Sequence, residues 1–261
     1  MPRSFSYSAL ALRVKSSGES NREAWFLTAE EGLLRATVFG GPKSRLRSQV
    51  ASFHEGKLLI YHDPVRDSRK VSDFDVQSWR PGIREMWERT MAADAVAETI
   101  LASHGGGGNW PVAAKLAGTV LDAFDEATAA ACSAIAIYFF WQWAKILGVK
   151  PELYCGACGT KPEVLLYSAR KEALYCDKCA TANSMAGSSN SNTGQSASIR
   201  LDPVGRLWLE KAETLPPEGF SSGYWSDELS WDAASLSQAK VLSLAVLAAA
   251  LGKRLPTWEE I

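Results

Sequence analysis

Apolar and polar positions alternate with a period of two over residues 4–80, and from Pro81 onward the apolar positions recur every three to four residues. Leu10, Leu12 and Val14 alternate with Ala11, Arg13 and Lys15, as in a strand buried on one side, until Ser16-Ser17-Gly18 breaks the pattern. Residues 24–28 and 33–39 read as two hairpin arms around Ala29-Glu30-Glu31-Gly32. Residues 58–61, ahead of Asp63-Pro64, and residues 71–76 complete a set of five short strands. So many short strands in so short a segment suit a small barrel of the OB type.

The helical period begins with a stripe of Ile83, Met86, Trp87, Thr90, Ala97, Ile100 and Leu101, closed by His104 and the run Gly105 to Gly108. Ala113, Leu116, Ala117, Val120, Leu121 and Phe124 mark a second helix, and a third runs to Leu147 before Gly148 and Pro151. Residues 127–144 contain no charge, which touches the length of a membrane span. The run opens with Ala, Thr, Cys and Ser, and Trp141 and Trp143 cluster at one end. The expectation is therefore a helix hydrophobic all round at the centre of a helical domain, with no membrane partner. Cys132 within it reads as a small buried hydrophobe.

Residues 183–198, rich in Ser, Asn and Gly, have the composition of a flexible loop. Pro203 starts a helix through Leu215, and Pro216-Pro217 breaks it. Ser235 or Ser237 caps a last helix that ends at Gly252. The predicted class is α+β: an OB-type barrel at 1–80, then an all-α domain at 81–261. A cysteine module is inserted at about 151–182, followed by the loop at about 183–198.

The chemistry concentrates in that module. Cys155 and Cys158 form one Cys-x-x-Cys pair, Cys176 and Cys179 another, seventeen residues apart. This spacing is that of a four-cysteine zinc site, in which each pair bites one ion from a tight knuckle. Gly156 and Gly159 suit left-handed positions in the first knuckle, and Val164 to Tyr167 suit a small strand between the pairs. Lys161, Arg170, Lys171 and Lys178 lie close enough in sequence to offset the charge of a tetrathiolate. Two disulfides compete with this reading, but nothing at the N-terminus resembles a signal peptide, and a reducing cytoplasm disfavours them. A redox pair would explain one Cys-x-x-Cys and not two. Catalytic zinc recruits His or carboxylate, and His54, His62 and His104 all lie far upstream. The expectation is one structural zinc per chain.

Charge adds a second candidate. The net charge is −1, yet residues 1–80 carry 13 Lys and Arg against 9 acids, while 81–261 carry 15 against 20. No acid lies between Gly32 and His54, a window that holds Arg35, Lys43, Arg45 and Arg47. The last three sit in Gly40-Gly41-Pro42-Lys43-Ser44-Arg45-Leu46-Arg47, which reads as a loop. It is either a solvated basic turn or a phosphate-contacting loop beside a barrel face. Phe5, Tyr7, Trp25, Phe39 and Phe53 include rings that could stack on bases, although most suit the barrel core.

The element order, with Gly41-Pro42-Lys43-Ser44-Arg45-Leu46-Arg47 and Ala144-Lys145-Ile146-Leu147-Gly148-Val149-Lys150-Pro151 running into Cys155 and Cys158, resembles the bacterial RecO family of recombination mediators. The resemblance implies an OB-fold followed by a helical domain with a structural zinc module. It implies binding of single- and double-stranded DNA, annealing of complementary strands, and work with RecR, sometimes RecF, and single-strand binding protein to load RecA. It implies no enzymatic activity and a place in the cytoplasm with the nucleoid. A zinc-dependent enzyme is disfavoured by the absence of a His/carboxylate constellation, of Gly-x-x-x-x-Gly-Lys-Ser/Thr and of Gly-x-Ser-x-Gly. A zinc-ribbon scaffold for protein partners, with incidental nucleic-acid binding, remains the alternative.

Overall fold

The period-two segment folds into β1 (Ser4–Ser17), β2 (Asn21–Thr28), β3 (Gly32–Val38), β4 (Glu55–Asp63) and β5 (Ser68–Ser78) in the computed structural model, which describes residues 3–41, 43–185, 199–216, 219 and 233–261. The strands close into a barrel in the order β1-β2-β3-β5-β4. Every pairing is antiparallel except β3 with β5, which meet in parallel at Thr37 and Lys70. This is the OB-type barrel the alternation predicts. Its core includes Phe26 and Phe74, whose rings meet edge to face at 5.8 Å, with the small side chains of Ala11, Ala24 and Ala36 around them.

One strand departs from simple alternation. Ala9, Leu10, Ala11 and Leu12 are all buried, so β1 is covered on both faces. Ala9 and Ala11 face the barrel interior, while Leu10, Leu12, Leu27 and Phe53 join the core of the helical region. A sheet face covered by a second layer loses its polar side.

The segment expected to be a loop contains a short helix, α1 (Arg45–Gln49), with Val50 and Leu46 packed into the barrel core. The five-strand barrel is thereby plugged at one end. Helix α2 (Trp87–Ala102) starts later than its apolar stripe suggests, because residues Pro81–Arg84 form a 3-10 turn and Met86 is extended. Gly82 packs so closely that a Cβ there would meet the Asp125 carbonyl at 2.2 Å. Next come α3 (Trp110–Glu126) and α4 (Ala129–Ile146). His104 and all four glycines from 105 to 108 have positive φ. A Cβ on Gly105 would lie 3.3 Å from the Leu33 amide, and one on Gly106 would lie 3.0 Å from the Trp143 ring. The turn is squeezed between barrel and helices, and only glycine combines that conformation with that space.

Helix α4 lies at the centre of the helical region, with residues 134–141 buried without interruption. Thr128 caps its N-terminus by accepting from the Ala131 amide. No helix among the described residues is long and apolar enough to cross a membrane.

After α4 come β6 (Leu165–Ser168), β7 (Ala173–Tyr175), α5 (Asp177–Met185), β8 (Ile199–Leu201), α6 (Pro203–Thr214) and α7 (Ala233–Leu251). The three strands form a small sheet in the order β7-β6-β8. Helix α5 takes in residues 183–185, which the composition assigned to a loop; the rest of that loop, and Pro217, lie outside the described residues. Helix α7 is already formed at Ala233, so neither Ser235 nor Ser237 caps it. Asp202 does cap α6, accepting from the Gly205 amide at 2.9 Å. The chain ends in a 3-10 turn, Pro256–Glu260, docked on α2: the buried Trp258 indole donates to Thr99 Oγ1 at 2.9 Å, and the Thr257 hydroxyl donates to Glu98 at 2.6 Å.

Candidate metal centre and nucleic-acid interface

The four cysteines converge. Their Sγ atoms all lie within 4.8 Å of one another, with Cys158 and Cys176 at 3.9 Å, and all four are free thiols. A tetrahedron of thiolates with metal–sulfur bonds near 2.3 Å has its sulfurs ~3.8 Å apart. The cluster therefore fits a single tetrahedral metal ion. The first knuckle is a tight turn in which the Gly159 amide donates to the Cys155 carbonyl at 2.8 Å, with Gly159 at φ +73°. Gly156 does not adopt a left-handed conformation; its amide donates to the Leu174 carbonyl and ties the knuckle to β7. In the second knuckle Cys176 stands just before α5, and the Cys179 amide points at its sulfur at 3.4 Å.

Ionisation within the cluster is mutually opposed. Burial alone would raise the Cys155 thiol, but the amides of Cys176, Cys158 and Ala157 outweigh it and bring it down to about 6. Its neighbours, Cys176 first, push Cys179 up to about 12. Four crowded thiols cannot all ionise by themselves, whereas a divalent cation at their centre removes the conflict. Lys161 pairs with Glu210 at 3.2 Å, and Lys150 with Glu213 at 2.7 Å. Lys161 thus joins the module to α6, and Lys150 joins the segment just before the module to the same helix.

The expected basic site divides in two. Lys43, Arg45 and Arg47 gather at the barrel end closed by α1, with Lys43 and Arg45 exposed. Arg35 lies elsewhere, on the outer face of β3, paired with Glu23 and 5.5 Å from the Trp25 ring centroid. Arg22 joins the first group: its guanidinium donates to the Arg47 carbonyl at 2.6 Å. Burial lowers the Arg22 pKa, and the adjacent Arg47 charge lowers it further. Among the described residues no acid pairs with Lys43, Arg45, Arg47 or Arg22. Two arginines held side by side without a carboxylate form a ready receptor for anions. Arg22 was legible in principle, since it shares the inward register of Ala24 and Phe26, where a cation is out of place.

Of the five aromatics, Tyr7 and Phe53 are buried and Phe5 is half-buried against the barrel core, while Trp25 and Phe39 face outward. Tyr7 also donates to Glu31 at 2.9 Å.

A second residue absent from the sequence reading is Arg80, 4% exposed and left-handed at φ +47°. It donates to Glu55 at 2.6 Å, to Asp122 at 2.7 Å and to the Phe53 and Gly118 carbonyls at 2.8 and 3.2 Å. It joins the barrel to α3 and so holds the cationic barrel end in a set relation to the helical region.

A closed five-strand barrel with a cationic end, joined to helices that carry a tetracysteine cluster, defines a two-part metal-site protein of the OB-barrel class. The model described as Recombination protein O N terminal matches residues 1–77, and that described as Recombination protein O C terminal matches residues 84–198. The chain belongs to the recombination protein O (RecO) family, which acts in DNA repair and recombination. No curated protein matches it.

Proposed function

We propose that the chain is a recombination mediator that binds single- and double-stranded DNA, anneals complementary strands and helps load a recombinase onto strands coated with single-strand binding protein. Its partners on this reading are RecR, single-strand binding protein, RecF in some settings and RecA indirectly, in the cytoplasm at the nucleoid. It consumes no nucleotide. The bound ion is one structural zinc held by Cys155, Cys158, Cys176 and Cys179.

The observation that carries the DNA reading is the acid-free cluster of Lys43, Arg45, Arg47 and Arg22 on a barrel of this family. Lys and Arg beside phosphates release condensed counterions, and such contacts give affinity with little sequence choice. The test is the triple change Lys43→Glu, Arg45→Glu, Arg47→Glu. It should weaken binding to all sequences alike and flatten the salt dependence by roughly one unit of slope per lost contact. Annealing should fall in parallel, with metal content and melting temperature unchanged. Wild-type affinity and slope in the triple variant would remove this cluster from the DNA site.

A further inference from the structure

A cavity of about 150 Å³ opens between α7 and the C-terminal 3-10 turn. Val241, Leu244, Leu255 and Trp258 form its apolar wall, and Lys240, Arg254 and Glu259 complete it. Leu255 and Trp258 are buried, and the bond from Trp258 to Thr99 anchors that wall on α2. Lys240 is half-buried, and neither it nor Arg254 forms an ion pair among the described residues. Several other lysines are placed differently. Lys150 and Lys161 are paired with glutamates, Lys15 and Lys70 lie over rings, and Lys57 and Lys145 are exposed to water. Burial lowers the Lys240 pKa from its ordinary value, because an ammonium loses hydration against apolar walls. Glu259 is the sole acid of the lining; it is exposed and pairs with neither cation.

We propose that Lys240 is an acylation site, at which Arg254 holds a small acyl phosphate while its acyl group passes to the lysine nitrogen. A lysine attacks only as the free amine, and an apolar pocket with a second cation beside it favours that form. Arg254 is exposed at the same cavity, and its planar fork matches a phosphate. The apolar wall receives the acyl chain, and the size of the cavity limits that chain to a few carbons. The ammonium first gives one proton to water. The nitrogen then bonds to the acyl carbon, the bond from that carbon to the phosphate oxygen breaks, and the oxygen leaves with the electron pair. The nitrogen passes a second proton to the departing phosphate. The products are an amide, hydrogen phosphate and one proton. The amide is uncharged, so the cost of keeping an ammonium against apolar walls disappears.

The test incubates the full metal-loaded chain with acetyl phosphate near neutral pH and follows each lysine by peptide mass spectrometry. Lys240 should be acetylated at least roughly tenfold faster than Lys57 and Lys145, since a held donor reacts at a raised effective concentration. Arg254→Gln should remove most of that advantage, and Arg254→Lys should keep part of it. With N-acetylimidazole, a donor that carries no phosphate, Arg254→Gln should react at Lys240 as the wild type does. Inorganic phosphate added to the wild type should slow Lys240 and leave Lys57 and Lys145 unchanged, a measurement that needs no variant. Melting temperature and metal content check the fold. If Lys240 reacts no faster than the two exposed lysines, it is not an acylation site. If phosphate fails to compete, or Arg254→Gln slows both donors equally or neither, Arg254 does not hold the donor and the proposal falls.

Discussion

Arg80→Ala removes a side chain whose donors serve two parts of the molecule. Phe53 belongs to the loop before β4, Glu55 to β4 itself, and Gly118 and Asp122 to α3. Glu55 and Asp122 have side-chain exposures of 39% and 54%, so they rehydrate when the guanidinium leaves, and their ion pairs contribute little to the loss. The Phe53 and Gly118 carbonyls sit at a buried junction, where a lost donor costs roughly 1–3 kcal/mol each. The expected destabilisation is the sum of those two losses, roughly 2–6 kcal/mol. Backbone conformation supplies an internal control. Arg80 is left-handed, and alanine keeps that strain whereas glycine relieves it, so Arg80→Gly should be less damaging than Arg80→Ala by about 1 kcal/mol. The assay is urea denaturation of the metal-loaded protein by linear extrapolation. Hydrogen exchange should show the barrel and helical segments opening together in the wild type and separately in the alanine variant. A loss under about 1 kcal/mol, or a glycine variant no better than alanine, would refute the reasoning.

The remaining predictions concern the thiols and one histidine. Cys155→Ser or Cys176→Ser should abolish about one equivalent of zinc together with thermal stability, because the binding energy of a closed site is folding energy; elemental analysis and melting curves test this. Acidification should release the ion as the thiolates take up protons, and zinc retained after exhaustive dialysis at pH 4 would contradict a thiolate site. Cys132 is 3% exposed and its thiol is pushed up to about 11 by burial, so thiol reagents should leave it untouched until the protein unfolds. Burial also lowers the His54 pKa, and Arg84 and Arg80 act in the same direction against the bond to the Gln49 carbonyl. Folded His54 therefore takes up a proton less readily than the unfolded chain, whose histidine protonates near 6.5. The unfolded state binds the extra proton, so this share of stability is present above that pH and is lost as pH falls below it. Denaturation between pH 7.5 and 5.5 should show that loss, and His54→Asn should lack it.

The barrel and the cysteine cluster were legible in the residues because both rest on local spacing. Alternation marks strands whose inner face is buried, and a two-residue gap brings two thiols to one knuckle wherever the chain goes. The charge-free run of α4 likewise declared itself, since a helix buried all round needs no polar side. What depends on distant neighbours was not legible. The outer side of β1 is apolar only because helices cover it, and α1 forms where composition suggests a loop because Leu46 and Val50 can plug the barrel. Nothing in its local sequence singles out Arg80; only the fold brings Glu55 and Asp122, 25 and 42 residues away, to its guanidinium. Arg35 and Arg47 share one acid-free window, yet β3 and α1 carry them to different surfaces, with Arg22 arriving beside the second from another strand. Short-range spacing determines which elements form and which pairs of ligands bind together. Which charges meet, and which rings stay exposed, is decided by packing between segments remote in sequence, and no local pattern encodes that.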